Sequence, residues 1–327
     1  MANQQFGLIL FAISSSLLTT ASIIWYMRRK KKPLEYIEVG KVGEICIYPV
    51  KSCGGISVQE AECTARGIKT GQLRDRKWML VDDEDRNLAA KKEPSVALIK
   101  TSLSADGQNL VLRADGQPTV QLPLVPDTTA QLVKAKLHES IVYGYDCGEK
   151  VRQWLSNIIT DKAYRMLVHE DNLQGRKFVD NPVWKERFTS KDQALYHYMT
   201  QFHVANTASL DDLNSRLETP IGMQQFRANI IISESNAFAE DKWAMLKIGD
   251  ACLSRTHDCG RCPITMIDRK LGTLRKAEPL KTLRQYRMLD KSHPDSKFQK
   301  SPIFGVNFKL VTGGSIKVGD TVYAVLQ

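Results

Sequence analysis

From Ile37 onward, the pattern of apolar and polar residues is mostly that of β-strands separated by turns. The segment VGEICIYPV (42–50) is rich in β-branched residues, and FRANIIIS (226–233) has the same character. The segment KWMLVDDEDRNLAA (77–90) predicts a hairpin that turns on its acidic residues. The pattern therefore predicts a β-dominated fold.

Turn signals divide the strand regions further. Residues 97–124 predict a meander, because Asp-Gly pairs at 106–107 and 115–116 are typical of tight hairpin turns. Two later segments, LKIGDACLSR (246–255) and IKVGDTVYAV (316–325), each place a Gly-Asp pair between apolar runs. This similarity indicates one turn type that is used twice in a barrel.

Three segments have the spacing of helices, which makes the predicted class α+β. Asp146 and Glu149 have the spacing of a capping box, and apolar residues then recur on one helical face as far as residue 159. The segment NTASLDDLNSRL (206–217) carries leucines on one face. In EPLKTLRQYR (278–287) the proline stands near the start, where a helix tolerates it.

The N-terminal segment has a different pattern. Residues 6–27 contain no charge, and as a helix they would be about 33 Å long, enough to cross a bilayer. Trp25 and Tyr26 end the segment, and the basic run RRKKK (28–32) follows. Positive charge after the apolar run, and no small-residue cleavage site, favour a signal anchor over a secretory signal. Residues 1–33 are therefore predicted to be a single-pass anchor that leaves the rest of the chain in the cytosol.

Length and charge limit the remaining possibilities. The 327 residues allow about two domains, and the polar, basic stretch at 170–190 is predicted to connect them. The formal net charge is +10, but RRKKK supplies five of those charges, so the folded part lacks the basic stripe of a nucleic-acid-binding protein. The basic residues at 174–178 and 185–188 are either a solvated face or a docking patch for an acidic partner.

The chain has seven cysteines with no dense framework, which indicates mostly free thiols in a reducing compartment. Two of them, Cys259 and Cys262, form the motif CGRC. The spacing suits a redox pair, half of a zinc site that His257 could extend, or two inert thiols. It also suits a single thiolate ligand to a redox-active metal whose other ligands come from a cofactor.

Several separated motifs carry a family resemblance that runs from about residue 38 to the end. They are IYPVKSCGGISVQEAECTARGI (47–68), LRDRKWMLVD (73–82), DCGRCPIT (258–265), EPLKTLRQYR (278–287) and SPIFGVNF (301–308). Together they resemble the MOSC-domain molybdenum proteins, and in particular the mitochondrial amidoxime-reducing components. The resemblance implies a MOSC N-terminal β-barrel-like domain at 38–170, followed by a MOSC β-barrel domain at 185–327.

The same resemblance implies a pyranopterin molybdenum cofactor, with Cys262 as the protein ligand to the metal and Cys259 not a ligand. The cofactor phosphate would be held by a lysine, a hydroxyl and an arginine, a set that suits a phosphate chemically: Lys51, Ser52 and Arg76. Further pterin contacts are implied at Thr200, Arg227, Asn229, Gly260 and Arg261.

The chain departs from the family pattern at two places. Residues 197–199 read His-Tyr-Met where close relatives have small hydroxyl and carboxylate residues, so contacts from this loop to the pterin are expected to differ. Asn307 stands where relatives can carry an aromatic residue, and the substrate range is expected to differ as a result.

The activity that the resemblance implies is reduction of N-hydroxylated compounds, namely amidoximes, hydroxylamines and hydroxamic acids. Electrons would come from NADH through a cytochrome b5 reductase and cytochrome b5, and the location would be the outer mitochondrial membrane. The chain has no GxGxxG motif, which fits delivery of electrons by partners.

Two other functions stay open at this point. A sulfur carrier would hold a persulfide on Cys262 during cofactor maturation, although the chain lacks the pyridoxal-dependent half of the cofactor sulfurases. A non-catalytic membrane scaffold would leave its cysteines inert. Metal and sulfur analysis separates the three functions. A reductase would contain molybdenum with pterin, a sulfur carrier would contain labile sulfane sulfur without molybdenum, and a scaffold would contain neither.

Overall fold

A computed structural model describes residues 34–159, 163–180 and 183–327. Within these ranges no helix is both long enough and apolar enough to cross a membrane. The anchor predicted at residues 1–33 lies outside the described residues. Residues 37–327 form one compact unit.

The described part of the chain is built mainly from short strands. The first half contains β1 (Ile37–Ile47), β2 (Ile56–Val58), β3 (Glu60–Thr64), β4 (Gly67–Thr70), β5 (Leu73–Arg74), β6 (Trp78–Val81), β7 (Lys100–Leu103), β8 (Asn109–Arg113), β9 (Val120–Pro123), β10 (Leu132–Leu137) and β11 (Ser140–Asp146). The second half contains β12 (Arg165–Val168), β13 (Arg176–Lys177), β14 (Gln193–Ala194), β15 (Phe202–Asn206), β16 (Ile230–Ser233), β17 (Trp243–Ile248), β18 (Ala251–Gly260), β19 (Ile267–Asp268), β20 (Thr273–Leu274), β21 (Ile303–Thr312), β22 (Gly314–Lys317) and β23 (Thr321–Leu326).

Helices are few and short, as the β-dominated α+β prediction requires. The α-helices are α1 (Glu149–Ser156), α2 (Thr207–Asn214) and α3 (Leu280–Tyr286). Short 3₁₀ helices lie at Pro94–Leu98, Phe178–Asp180, Lys185–Arg187, Met223–Gln225, Ala239–Lys242 and Pro263–Met266.

Two of the helix starts differ in their capping. Asn206 caps α2, because its side-chain oxygen accepts a hydrogen bond from the Ala208 backbone N–H. The capping box predicted at Asp146 is wrong. Its carboxylate accepts from the Gly148 N–H, and Gly148 stands at the N-cap of α1 without a side-chain bond.

A closed barrel of seven strands dominates the structure, in the order β16, β15, β21, β18, β17, β23 and β1, with β1 pairing back to β16. Only one neighbouring pair in this described barrel, β15 with β16, is parallel. A parallel connection needs a crossover, and α2 supplies it. The barrel confirms the β-dominated fold class.

The first strand of the chain belongs to this barrel. β1 lies between β16 and β23, and β3 pairs with β22, so strands from both ends of the sequence share sheets. The division into domains at 38–170 and 185–327 stays a prediction. Smaller sheets form from β10–β11–β12–β6 and from β7–β8–β9.

The meander and the hairpin predicted from the sequence can be compared with the strands that form. The meander at 97–124 is confirmed by the antiparallel strands β7, β8 and β9. The hairpin at 77–90 is present as a short one. Val81 and Asn87 form an antiparallel bridge, and the Leu88 N–H donates to the Leu80 carbonyl, while β6 also pairs along its length with β12. All four residues of β6 are buried, because alternate side chains pack into two apolar clusters on opposite faces.

The barrel interior forms the main apolar core, and its residues are almost fully buried. They include Ile45, Val204, Ile230, Leu246, Leu253, Val306, Phe308 and Val322. Each such side chain contributes about 1.5–3 kcal/mol by burial. A second cluster packs α2 and α3 against the outside of the barrel through Leu213, Leu283, Phe226 and Phe304.

Candidate functional site

A cleft of about 530 Å³ opens where β18 ends, and the size is within the usual range for a ligand site. The loops that follow β1 and β5 form one part of its wall, and the segments 197–203 and 225–229 form another. All nine residues that the sequence predicts as site residues line this cleft: Lys51, Ser52, Arg76, Thr200, Arg227, Asn229, Gly260, Arg261 and Cys262.

The backbone of this cleft adopts conformations that non-glycine residues usually avoid. Ser52, Arg76 and Arg227 have φ values of 80°, 49° and 55°, in the left-handed region. Such conformations cost free energy and concentrate at ligand-binding sites, where the surrounding structure enforces them. Three of the predicted cofactor-binding residues are therefore held in place by strained backbone.

The cleft concentrates positive charge. The Lys51 ammonium donates to the Tyr196 carbonyl at 3.1 Å, and the Arg227 guanidinium donates to the carbonyls of Cys53 and Val50. In the described ranges no carboxylate lies within ion-pair distance of either cation. Burial, with the nearby Arg176, Arg76 and Arg227 charges, lowers the pKa of Lys51 to about 7.

Asp75 is the carboxylate that balances part of this charge. It is fully buried, pairs with Arg76, accepts from the Tyr48 N–H at 2.7 Å, and lies 2.9 Å from His197 Nε2. Burial opposes ionisation of Asp75, but Arg76 and His197 outweigh it and hold the pKa of the carboxyl below its usual value. One carboxylate among several cations leaves a net positive cleft, which suits an anionic ligand.

The two cysteines of the CGRC motif have different surroundings. Cys262 is exposed to the cleft and precedes the 3₁₀ helix Pro263–Met266. Cys259 is part of β18, and its Sγ accepts from Arg261 Nη1 at 3.0 Å. Burial raises the pKa of the Cys259 thiol although Arg261 opposes the shift. The thiol that is free to reach a ligand is thus Cys262.

The Arg261 side chain runs inward and ties the cysteine loop to the rest of the cleft. It is only 7% exposed and donates to the Phe226 carbonyl at 2.8 Å, and Nη2 lies 3.3 Å from His203 Nε2. Its Nε–H is buried without a partner among the described residues. The guanidinium therefore positions the loop that carries Cys262 beside the segment that carries Arg227 and Asn229.

A row of polar side chains that the sequence did not reveal crosses three neighbouring barrel strands. Asn307 on β21 stands opposite His203 on β15 and opposite His257 on β18. Its amide oxygen accepts from the Thr200 hydroxyl at 3.2 Å, and its amide nitrogen lies 3.1 Å from His257 Nε2. The register between distant strands creates this row, so no local sequence signal could have found it.

The histidines of the site are neutral near pH 7. His197, His203 and His257 line the cleft and are buried, and His169, which is not part of the cleft, is also buried. Burial lowers the pKa of all four, to about 3 for His257 and to about 4 for His169. The walls of the cleft therefore offer neutral hydrogen-bonding rings, and the positive charge comes from lysine and arginine.

These shifts predict a loss of stability in acid. Because the folded pKa values lie below the unfolded value of about 6.5, the unfolded chain binds protons first as the pH falls. We expect the melting temperature to decrease from pH 6.5 towards pH 4, measured by scanning calorimetry. The buried Glu240 acts in the opposite direction, because burial raises its pKa to about 7.

Variants separate the two contributions to this pH dependence. His257→Gln should make the loss of stability in acid shallower, whereas Glu240→Gln should make it steeper. Identical slopes for both variants and the unsubstituted protein would show that these groups do not titrate as their burial requires.

A zinc site at the CGRC motif finds no support in the residues described. Among them, Cys259, Cys262 and His257 do not form a cluster of three possible ligand atoms, and the group that does is Asp258, His293 and Asp295. The carboxylates of that group are already paired with Arg255 and Arg187.

Comparisons with known proteins match the chain to two domain families and to similar proteins. Residues 39–162 match the MOSC N-terminal beta barrel domain, and residues 191–323 match the MOSC domain. The chain is 38% identical to Mitochondrial amidoxime-reducing component 1 of Mus musculus over 316 residues, or 97% of this chain and 91% of that protein. The Homo sapiens counterpart is 38% identical over 319 residues, with 97% and 92% covered. Mitochondrial amidoxime reducing component 2 of Rattus norvegicus is 34% identical, again with 97% and 92% covered.

Proposed function

The chain belongs to the MOSC-domain family, in the group of the mitochondrial amidoxime-reducing components, and on this premise we propose that it is a molybdenum-cofactor-dependent reductase of N-hydroxylated compounds. The observation that carries the proposal is one exposed thiol, Cys262, in a cleft with uncompensated positive charge. The metal of such a cofactor needs a soft thiolate ligand, and its phosphate needs a cationic site.

The residues present fit this cofactor. Cys262 would be the protein ligand to molybdenum, and the positive charge of the cleft would attract the anionic cofactor. The phosphate would be held by Lys51, Ser52 and Arg76, and the pterin by Thr200, Arg227, Asn229, Gly260 and Arg261. When bound, the cofactor would supply two-electron redox chemistry beside the Cys262 thiolate.

The overall reaction takes two electrons and two protons to cleave the N–O bond. A hydroxylamine becomes an amine and water, an amidoxime becomes an amidine and water, and a hydroxamic acid becomes an amide and water. The buried histidines and Asn307 contribute neutral hydrogen-bonding groups to the cleft wall, which suit an uncharged N–OH group. The hydrogen bond from Arg261 to the Phe226 carbonyl ties the Cys262 loop to the opposite segment of the cleft wall.

Electrons are proposed to arrive from NADH through cytochrome b5 reductase and cytochrome b5. The relatives are named mitochondrial, and we propose the outer mitochondrial membrane as the location, with residues 1–33 as the anchor. The catalytic part would face the cytosol.

Removal of residues 1–33 is expected to leave a soluble protein that retains its cofactor. The physical reason is that the cleft and the barrel are built within residues 37–327, which form one compact unit. The measurement is molybdenum content and gel filtration of the shortened chain beside the full-length chain in detergent. Aggregation, or loss of molybdenum from the shortened chain alone, would contradict this expectation.

The activity test uses benzamidoxime with purified cytochrome b5, cytochrome b5 reductase and NADH. The proposal predicts benzamidine as the product and NADH oxidation in equal amount. The exposed Cys262 thiol would also suit a persulfide carrier. That function predicts cyanide-labile sulfur on Cys262 without molybdenum and without benzamidine.

A further inference from the structure

A second concavity, the hairpin groove, lies on the exposed face of the β10–β11 hairpin and shares no lining residue with the cleft. It has a volume of about 180 Å³ and is lined by Ile141, Tyr143, Gln174, Gly175, Arg176 and Lys177. Two of these residues are basic and none is acidic. The groove therefore includes most of the basic segment 174–178, which the sequence predicts to be either a solvated face or a docking patch.

The register of the hairpin enlarges this surface. Lys134 on β10 stands opposite Tyr143 on β11, and Lys136 stands opposite Ile141. Directly opposite residues of an antiparallel pair share a face of the sheet, so both lysines lie beside the apolar lining of the groove. All four side chains are exposed, and Ile141 is 52% exposed. Exposed apolar surface bordered by charge is typical of protein–protein contacts.

The positive charge of this surface is hardly compensated. In the described ranges neither Lys134 nor Lys177 has a carboxylate within ion-pair distance. Lys136 lies 3.9 Å from Glu139, but both side chains are more than half exposed, where such a pair contributes little. The three lysines are therefore available to an acidic partner.

The acidic turn at 82–85 lies on the other side of β10. One edge of β10 pairs with β11, and the other edge is bonded to residues 85–87. Two carboxylates of the turn are also paired within the chain, Asp82 with Arg86 and Asp85 with Arg165. The turn therefore borders the positive surface and does not neutralise the groove.

One buried residue connects the hairpin groove with the cleft. The Tyr196 hydroxyl donates to the Tyr143 carbonyl at 2.8 Å, and the Tyr196 carbonyl accepts from the Lys51 ammonium at 3.1 Å. Gly144 makes room for this ring, because a Cβ at that position would lie 2.2 Å from the Tyr196 hydroxyl oxygen. Since Lys51 lines the cleft, a short path of bonds and hydrogen bonds leads from the groove to the cleft.

Arg176 makes a second connection between the two concavities. It lines the groove, and its guanidinium donates to the carbonyls of His197 and Tyr198 at 2.6 and 2.5 Å. Both of these residues line the cleft, as does His138 at the end of the hairpin. A protein seated in the groove would therefore lie one chain segment away from a group bound in the cleft.

We propose that the hairpin groove, together with Lys134, Lys136 and Lys177, is the docking surface for the acidic face of the protein that donates electrons. Uncompensated cations favour an acidic partner, and the exposed Ile141 and Tyr143 favour a protein over a small anion. The inference rests on the proposed function for the need of a donor. Two donor molecules dock in turn, and each is oxidised by one electron. With two protons from solvent, the two electrons convert N–OH to N–H and water.

The test reverses the charge of the surface with the triple variant Lys134→Glu, Lys136→Glu and Lys177→Glu. The full-length, cofactor-loaded chain in detergent reduces benzamidoxime while the concentration of cytochrome b5 is varied. At low ionic strength we expect the KM for cytochrome b5 to rise by roughly tenfold or more, because the attraction becomes repulsion. The difference should shrink as salt is added, since salt screens exposed charges. Glutamine at the same three positions should give a smaller rise.

A matched control changes the net charge equally at another surface. Lys242, Lys247 and Lys281 are exposed and line neither the groove nor the cleft, so their replacement with glutamate should leave the KM for cytochrome b5 nearly unchanged. An equal rise in both triple variants would assign the effect to net charge and overturn the inference. An unchanged KM in the groove variant would also overturn it and would leave the lysines to another contact, such as an anionic lipid headgroup.

Two further measurements separate docking from the reaction itself. With reduced methyl viologen in place of cytochrome b5, the groove variant should reduce benzamidoxime as fast as the unsubstituted chain. Slow turnover with this small reductant as well would show that the variant damages the cleft, and it would overturn the inference. Calorimetry measures binding of cytochrome b5 directly. Binding that depends on the three lysines, without reduction of any substrate, would support the docking surface and refute the proposed reductase.

Discussion

Replacing Cys262 with serine should abolish both bound molybdenum and the reduction of N-hydroxylated substrates, by more than about 100-fold in activity. A serine hydroxyl ionises poorly and is a hard ligand, so it cannot replace a thiolate on a redox-active metal. Both cysteines line the cleft, but Cys262 is exposed whereas Cys259 is half-buried and in contact with Arg261. Cys259→Ser should therefore keep most of the metal and the activity, with a modest loss of stability.

The two variants are compared by molybdenum content, by pterin content and by benzamidoxime turnover. Pterin should remain in the Cys262→Ser protein in part, because other residues hold the phosphate. Equal losses in both variants would indicate a redox pair or a shared metal site. An active Cys262→Ser protein would refute the assignment of the ligand.

Lys51→Met should reduce cofactor retention by roughly tenfold or more, since a charged hydrogen bond contributes about 1.5–3 kcal/mol. The same substitution should not destabilise the cofactor-free protein by a comparable amount. Lys51 has no carboxylate partner in the described structure, and burial with neighbouring cations lowers its pKa to about 7. Its charge is unfavourable until an anion binds, so removing it relieves repulsion.

The measurement is cofactor loss on dialysis, together with the melting temperature of the cofactor-free protein. Lys91→Met is the matched control, because Lys91 also lines the cleft but is exposed, where a charge contributes little. Equal retention in the two variants would remove Lys51 from the phosphate site. A large fall in the melting temperature of cofactor-free Lys51→Met would make the lysine a structural residue.

The sequence predicted those features that depend on local patterns or on linear motifs. The meander of β7, β8 and β9 follows from its Asp-Gly turns. The nine site residues predicted from the family motifs all line one cleft. A motif identifies residues that are close together along the chain. Because members of a family share a fold, residues from separate motifs are expected to lie close together in space.

Features that depend on strand register could not be predicted from one sequence. The row of His203, Asn307 and His257 exists because β15, β21 and β18 are neighbours with a particular register, although they are far apart along the chain. The pairing of β6 with β12 has the same origin, since the sequence predicted only the local hairpin at 77–90 and not this distant partner. Similarly, the place of β1 between β16 and β23 depends on closure of the whole barrel.

In the proposed reductase, this cleft holds a molybdenum cofactor through Cys262. The most direct measurement is elemental analysis combined with pterin analysis of the purified full-length chain, prepared from cells that make the cofactor. We expect stoichiometric molybdenum and pyranopterin, both released together on denaturation. Purified protein that is folded but contains neither molybdenum nor pterin, or that carries labile sulfane sulfur instead, would contradict it.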